Sequence, residues 1–136
     1  MTISYTTAVR NARLDNLTTQ IGSAALIRIY DATGGVPASA NVAISTQVLL
    51  SEQVAGSPFA PAASGGVLTA NAIANDAAAN ATGTAAFFRV LDSAGTTTKY
   101  QGTCGTSGAD LNLNTLSIVI GGPVAISSLT ITAGNA

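Results

Sequence analysis

From Asp110 to Thr132 the chain alternates apolar and polar positions in two runs separated by Gly121-Gly122-Pro123, a pattern that predicts a β-hairpin. Leu116, Ile118 and Ile120 alternate with Ser117 and Val119, and Val124 and Ile126 alternate with Ala125 and Ser127. The phase slips twice. Leu111 and Leu113 occupy odd positions and Leu116 to Ile120 even ones, and Leu129 and Ile131 break phase with Val124 and Ile126. A one-residue slip turns a strand's apolar set to the wrong face, so each slip implies a β-bulge or a bend.

Upstream the pattern reads in order. Met1 to Tyr5 is short and alternating, an arm or an added strand. Thr6 or Thr7 is placed to N-cap a helix through Val9, Ala12, Leu14, Leu17 and Ile21, with Gly22 just past its end. Leu14, Leu17 and Ile21 form one apolar stripe at i, i+3, i+7, while Arg10, Arg13 and Asp15 lie mostly off it. Ala24 to Tyr30 is a strand with Ile27 and Ile29 on one face and Leu26, Arg28 and Tyr30 on the other. Residues 31–42 carry turn chemistry, Asp31-Ala-Thr-Gly-Gly-Val-Pro37, and read as a long exposed loop of the kind that makes contacts.

Val42 to Val54 holds one or two strands, and Pro58 and Pro61 keep the following segment out of any central strand. Phe59 within it is read as a core plug, with docking on a neighbouring subunit as the alternative. Val67 to Ile73 is a strand and residues 75–83 a loop. Thr84 to Leu91 is apolar on most of both faces, which predicts a central strand in which Arg89 needs a partner or the open edge of a face. Asp92-Ser-Ala-Gly95 is a tight turn into a Thr-rich strand to Gln101, and Gly102 to Ala109 is a flexible link.

About eight strands after one helix, with turn signals every 8–12 residues and no βαβ alternation, predict an all-β fold. The expectation is a jelly-roll-like antiparallel β-sandwich with one N-terminal α-helix. At 136 residues it reads as one domain, an arm and helix over 1–22 and the sandwich over 23–136.

Composition adds one unusual feature. Charged residues make up 8% of the chain, against about 25% in an ordinary soluble domain, and net charge is −1. Either a Ser, Thr, Asn and Gln surface keeps the protein in solution, or part of the surface lies against other subunits, since interface cores are depleted in charge. Five scattered basic residues, Arg10, Arg13, Arg28, Arg89 and Lys99, disfavour nucleic-acid binding. The longest apolar run is short and broken by Gly-Gly-Pro, so neither a membrane span nor a secretory signal is expected. A lone Cys104 forms no internal disulfide and suits a reducing compartment.

Candidate chemistry is sparse. With no His, Ser-His-Asp and Cys-His arrangements are impossible, and Lys99 sits among threonines. Asp31, Asp76, Asp92 and Asp110 occupy turns or strand ends, where Asp normally bonds its own backbone. Asp110-Leu-Asn112-Leu-Asn114 has calcium-loop spacing at its start, but Thr115 replaces the required glycine and Gly121 the bidentate Glu. No enzyme activity, cofactor or metal is expected.

The segments Met1 to Asp15, Leu26-Ile-Arg-Ile-Tyr-Asp31, Phe59-Ala-Pro-Ala-Ala-Ser-Gly-Gly-Val-Leu68 and Asp110-Leu-Asn-Leu-Asn114 together resemble capsid decoration, or cement, proteins of tailed bacteriophages, such as that of the Bordetella phage head. The resemblance implies a jelly roll on the outside of an icosahedral shell, made in the host cytoplasm, that ties neighbouring major capsid proteins together and meets copies of itself. It supplies no catalytic residues. Ile3, Tyr5, Arg10, Arg13, Val36, Pro37, Pro58, Phe59 and Pro61 are the contact residues expected under it. A tail-fibre component and a carbohydrate-binding jelly roll are the alternatives.

Overall fold

The computed structural model describes residues 3–133. Among the described residues one helix, α1 (Thr7–Ile21), precedes nine strands: β1 (Leu26–Tyr30), β2 (Leu49–Val54), β3 (Val67–Thr69), β4 (Gly83–Thr84), β5 (Phe87–Leu91), β6 (Thr98–Gly105), β7 (Leu111–Leu113), β8 (Ser117–Ile118) and β9 (Ile126–Thr132). Seven strands join in the order β2-β1-β5-β6-β7-β9-β3, and β4 and β8 form a small second sheet. The architecture is the all-β one that the turn spacing implies.

Helix α1 starts where a hydroxyl satisfies its orphan N–H groups: Thr6 Oγ1 accepts from Val9 N at 3.3 Å. It stops at Gly22, whose φ of 79° is left-handed and whose N–H bonds Thr18 O. Leu14 and Ile21 are buried and Leu17 is half-buried, so the i, i+3, i+7 stripe is the packed face. Two polar residues beside the stripe fasten the next layer. Asn11 Oδ1 accepts from Gly66 N at 2.8 Å and Asp15 Oδ1 from Ala63 N at 2.7 Å, so α1 holds the loop that leads into β3.

Strand β5 is buried along its whole length and lies between β1 and β6, as its two-sided apolar pattern predicts. Ile27, Ile29, Phe88 and Val90 are fully buried on the inner face, with Phe88 and Tyr100 edge-to-face at 5.7 Å. These residues share one core with Leu14, Ile21, Phe59, Leu68, Leu111, Leu113, Ile118 and Leu129.

Several expected strands are shorter or divided. Thr84 to Leu91 is not one strand: Ala85 N bonds Leu116 O and Ala86 N bonds Tyr30 O, so the chain changes sheet between Thr84 and Phe87. The strand from Val67 ends at Thr69, because Asn71 N turns to Phe59 O. The strand after the Asp92 to Gly95 turn runs on to Gly105, absorbing half of the expected link. Its contact with β7 is parallel, a departure from a wholly antiparallel sandwich.

The expected hairpin forms only at its open end. Leu111 and Leu113 pair with Leu129 and Ile126, and the register shifts at Asn112/Leu113. Where the apolar phase slips after Asn114, the chain leaves β9 altogether. Ile118 pairs with Gly83, Val124 bridges Asp76, and Ile120 is 63% exposed instead of lining a buried face. The slip marks a change of sheet instead of a bulge within one. Of the expected arm, Met1 and Thr2 lie outside the described residues, and Ile3 to Tyr5 belong to no strand.

Candidate interaction surfaces

On the outer face, the register aligns four polar side chains in a row across four strands: Glu52 on β2, Arg28 on β1, Arg89 on β5 and Gln101 on β6. Arg28 Nε donates to Glu52 Oε2 at 2.6 Å, which raises the Arg28 pKa. Arg89 is 3% exposed and burial lowers its pKa. Its guanidinium donates to Gln101 Oε1 at 3.2 Å, Ser39 O at 3.3 Å and Val42 O at 2.6 Å. Gln101 Nε2 adds a bond to Pro37 O at 2.8 Å. Residues 37–42 are therefore strapped down on the outer face by main-chain carbonyls. This is the partner Arg89 needed, and no sequence pattern indicated it. Pro37 is buried by the same strap and is not the surface contact expected, while Val36 beside it is 50% exposed.

The register also sorts the loops between two ends. At the end where β1 finishes and β2 begins, Asp31 is the organiser. Its Oδ1 accepts from Thr33 N and Val48 N and its Oδ2 from Thr33 Oγ1 at 2.6 Å, which lowers its pKa. Nearby, Ile120 N bonds Thr82 Oγ1, Gly121 N bonds Ala79 O, and Asn80 N bonds Leu50 O. These bonds hold up an apolar tip: Val48 is 40% exposed, Val119 61% and Ile120 63%. Residues 31–48, 76–83 and 114–124, which build this end, contain no Lys or Arg, and their only acids are Asp31 and Asp76. Asp76 is tied inward, accepting from Ser51 Oγ at 2.7 Å and Ala78 N at 3.0 Å.

The opposite end carries α1 and the loop through Pro58 and Pro61. There Arg13 lies 4.9 Å from the Tyr5 ring centre, and Arg10 is half-buried against Gly66. Pro58 and Pro61 are exposed, but Phe59 is 1% exposed and belongs to the core. The core-plug reading of Phe59 holds, and Phe59 is not available as a contact. The expected contact residues are thus divided: Ile3, Tyr5, Arg10, Arg13, Pro58 and Pro61 share one end, and Val36 stands at the other. Val119 and Ile120 were missed because a regular hairpin would have paired them.

Two further titratable groups, Tyr100 and Cys104, stand near Asp110. Asp110 Oδ2 accepts from Thr103 N at 3.0 Å and Thr103 Oγ1 at 3.1 Å. Burial, reinforced by this carboxylate, raises the Tyr100 hydroxyl and pushes the Cys104 thiol up to about 12. A thiol held neutral in this way is a core group, not a nucleophile. Among the described residues no cluster of three or more His, Cys, Asp or Glu is arranged to hold a metal ion, and no helix is long and apolar enough to cross a membrane. No protein-family model matches the chain, and no curated protein or solved structure matches it.

Proposed function

We propose that this chain is a virion structural protein: a capsid decoration, or cement, protein that binds the outside of an icosahedral head and links major capsid protein subunits. A jelly-roll winding and self-association on the shell are part of this reading. The observation that supports it best is the apolar tip with Val36, Val48, Val119 and Ile120 exposed, on an end whose loops hold no basic residue. Exposed apolar groups on rigidly bonded loops in a charge-poor setting suit burial against a protein surface. Each contact needs only modest area, because symmetry repeats it and the repeated contacts reinforce one another.

The test is co-sedimentation of the purified chain with expanded capsids that lack it. Saturable binding supports the reading, and an Ile120→Asp variant should bind at least about tenfold more weakly while unfolding at the same urea concentration. A stable elongated trimer that ignores capsids would move the protein to the tail.

A further inference from the structure

The two edges of the seven-stranded sheet, β3 and β2, are finished differently. At the β3 edge a loop takes up outward main-chain groups: Ser64 and Val67 exchange two bonds of 3.0 Å, and Asn71 N bonds Phe59 O at 2.9 Å. At the β2 edge such cover stands only at the two ends. Leu50 O accepts from Asn80 N at 2.8 Å, beside the register shift opposite Ile29/Tyr30, and the Asn71 side chain stands against Gly56, just past Val54.

Between those ends the edge is bare, and the ladder fixes which groups it presents. Ala55 N bonds Ala25 O at 2.8 Å, so by the antiparallel alternation Gln53 and Ser51 also bond β1. Glu52 and Val54 turn their N–H and C=O groups outward, where none of the four meets a partner among the described residues. Sheet edges are normally blunted by Lys, Pro or a bulge. Glu52 to Val54 has none of these, and its one charge is drawn back over the sheet by Arg28. Val54 on the same outer face is 52% exposed.

We propose that two copies of the chain associate edge to edge through β2, antiparallel about a two-fold axis at Gln53. In that register Glu52 of each copy faces Val54 of the other, and the two residues exchange both main-chain bonds. All four open groups of each copy are satisfied at once. A register shifted by one residue sets outward groups against groups already bonded to β1, and one shifted by two leaves an outward residue unpaired. A strand without such short bounds meets the covers at Leu50 and Gly56, whereas a second copy is open over the same three residues. The charges allow it too: Glu52 lies opposite an apolar Val54, and each copy brings an Arg28–Glu52 pair that is already neutral. The two seven-stranded sheets become one continuous sheet. This pairing supplies a surface for the self-association in the capsid reading and is tested without capsids, so the two fail separately.

Sedimentation equilibrium of the purified full-length chain, with amide exchange followed by NMR, tests it. The chain should dimerise, and the Glu52 and Val54 amides, exposed in the monomer, should exchange at least about tenfold more slowly where the dimer predominates. Val54→Pro deletes one outward donor and leaves the bonds to β1 in place. Val54→Glu keeps the backbone and sets a carboxylate opposite Glu52 of the other copy, a clash that symmetry repeats. Each should weaken the dimer at least about tenfold with unchanged circular dichroism, and Val54→Glu decides the matter if the proline variant does not fold. A monomer at every concentration overturns the proposal. So does a dimer whose Glu52 and Val54 amides exchange as fast as in the monomer, or one indifferent to Val54→Glu.

Discussion

Arg28 and Arg89 stand directly opposite each other on β1 and β5. Like charges in that position repel, and each arginine is satisfied by turning away to a different partner. Arg28 takes the Glu52 carboxylate on the edge strand, and Arg89 takes the carbonyls of Ser39 and Val42 above the sheet. The row across the outer face is thus the anchor of the loop over residues 37–42.

The two arginines should respond very differently to mutation. The Arg28–Glu52 pair is 26% and 37% exposed, so Glu52→Gln should cost about 0.5–1 kcal/mol. Arg89→Ala removes a buried guanidinium and its bonds to three acceptors, and should cost about 2–4 kcal/mol. Urea unfolding measures both, and amide exchange should accelerate in the loop strapped by Arg89. Equal costs for the two variants would show that the strap does not hold the loop.

Phe59 distinguishes core from contact surface. At 1% exposure, Phe59→Ala should lose about 3–5 kcal/mol of stability. Pro61→Ala, two residues on and exposed, should change stability by no more than about 0.5 kcal/mol. A Phe59→Ala protein that unfolds like the parent would place this side chain outside the core.

Asp92 governs the turn into β6. The backbone N–H groups of Thr96 and Thr97 bond its Oδ1, and they lower its pKa from 3.8 to about 2. Because the folded value lies below the unfolded one, the turn's contribution is complete above about pH 4 and is lost as pH falls through about 2. Carboxyl NMR titration should find the midpoint near 2. A midpoint at the ordinary carboxylate value would mean that the Thr96 and Thr97 bonds do not persist in solution.

Cys104 should be chemically quiet. With its pKa pushed up to about 12, the thiol is protonated at pH 8, and iodoacetamide should label it at least about a hundredfold more slowly than in urea-unfolded protein. Comparable rates in the two states would place the thiol at the surface.

Local pattern was enough for much of this molecule. Thr6 and Gly22 bound the helix, Leu14, Leu17 and Ile21 define its buried stripe, and Ile27, Ile29 and the two-sided apolar run ending at Leu91 identify the strands of the core. Such features depend on capping chemistry and on residue spacing, which act within a few positions along the chain. The phase slip after Asn114 was equally visible, but its meaning was not. A bulge and a change of sheet disturb alternation alike, and only the pairing of Ile118 with Gly83 separates them.

What tertiary structure alone decided are the features made by main-chain groups far apart in sequence. Arg89 bonds carbonyls 47 and 50 residues away, Asp15 accepts from an N–H 48 residues away, and Ile120 N reaches Thr82 across 38. Backbone carbonyls and N–H groups are identical at nearly every residue, so no pattern of side chains announces which of them will meet. For the same reason the apolar tip was invisible in the chain: it follows from where a strand stops pairing, which the neighbouring strands decide.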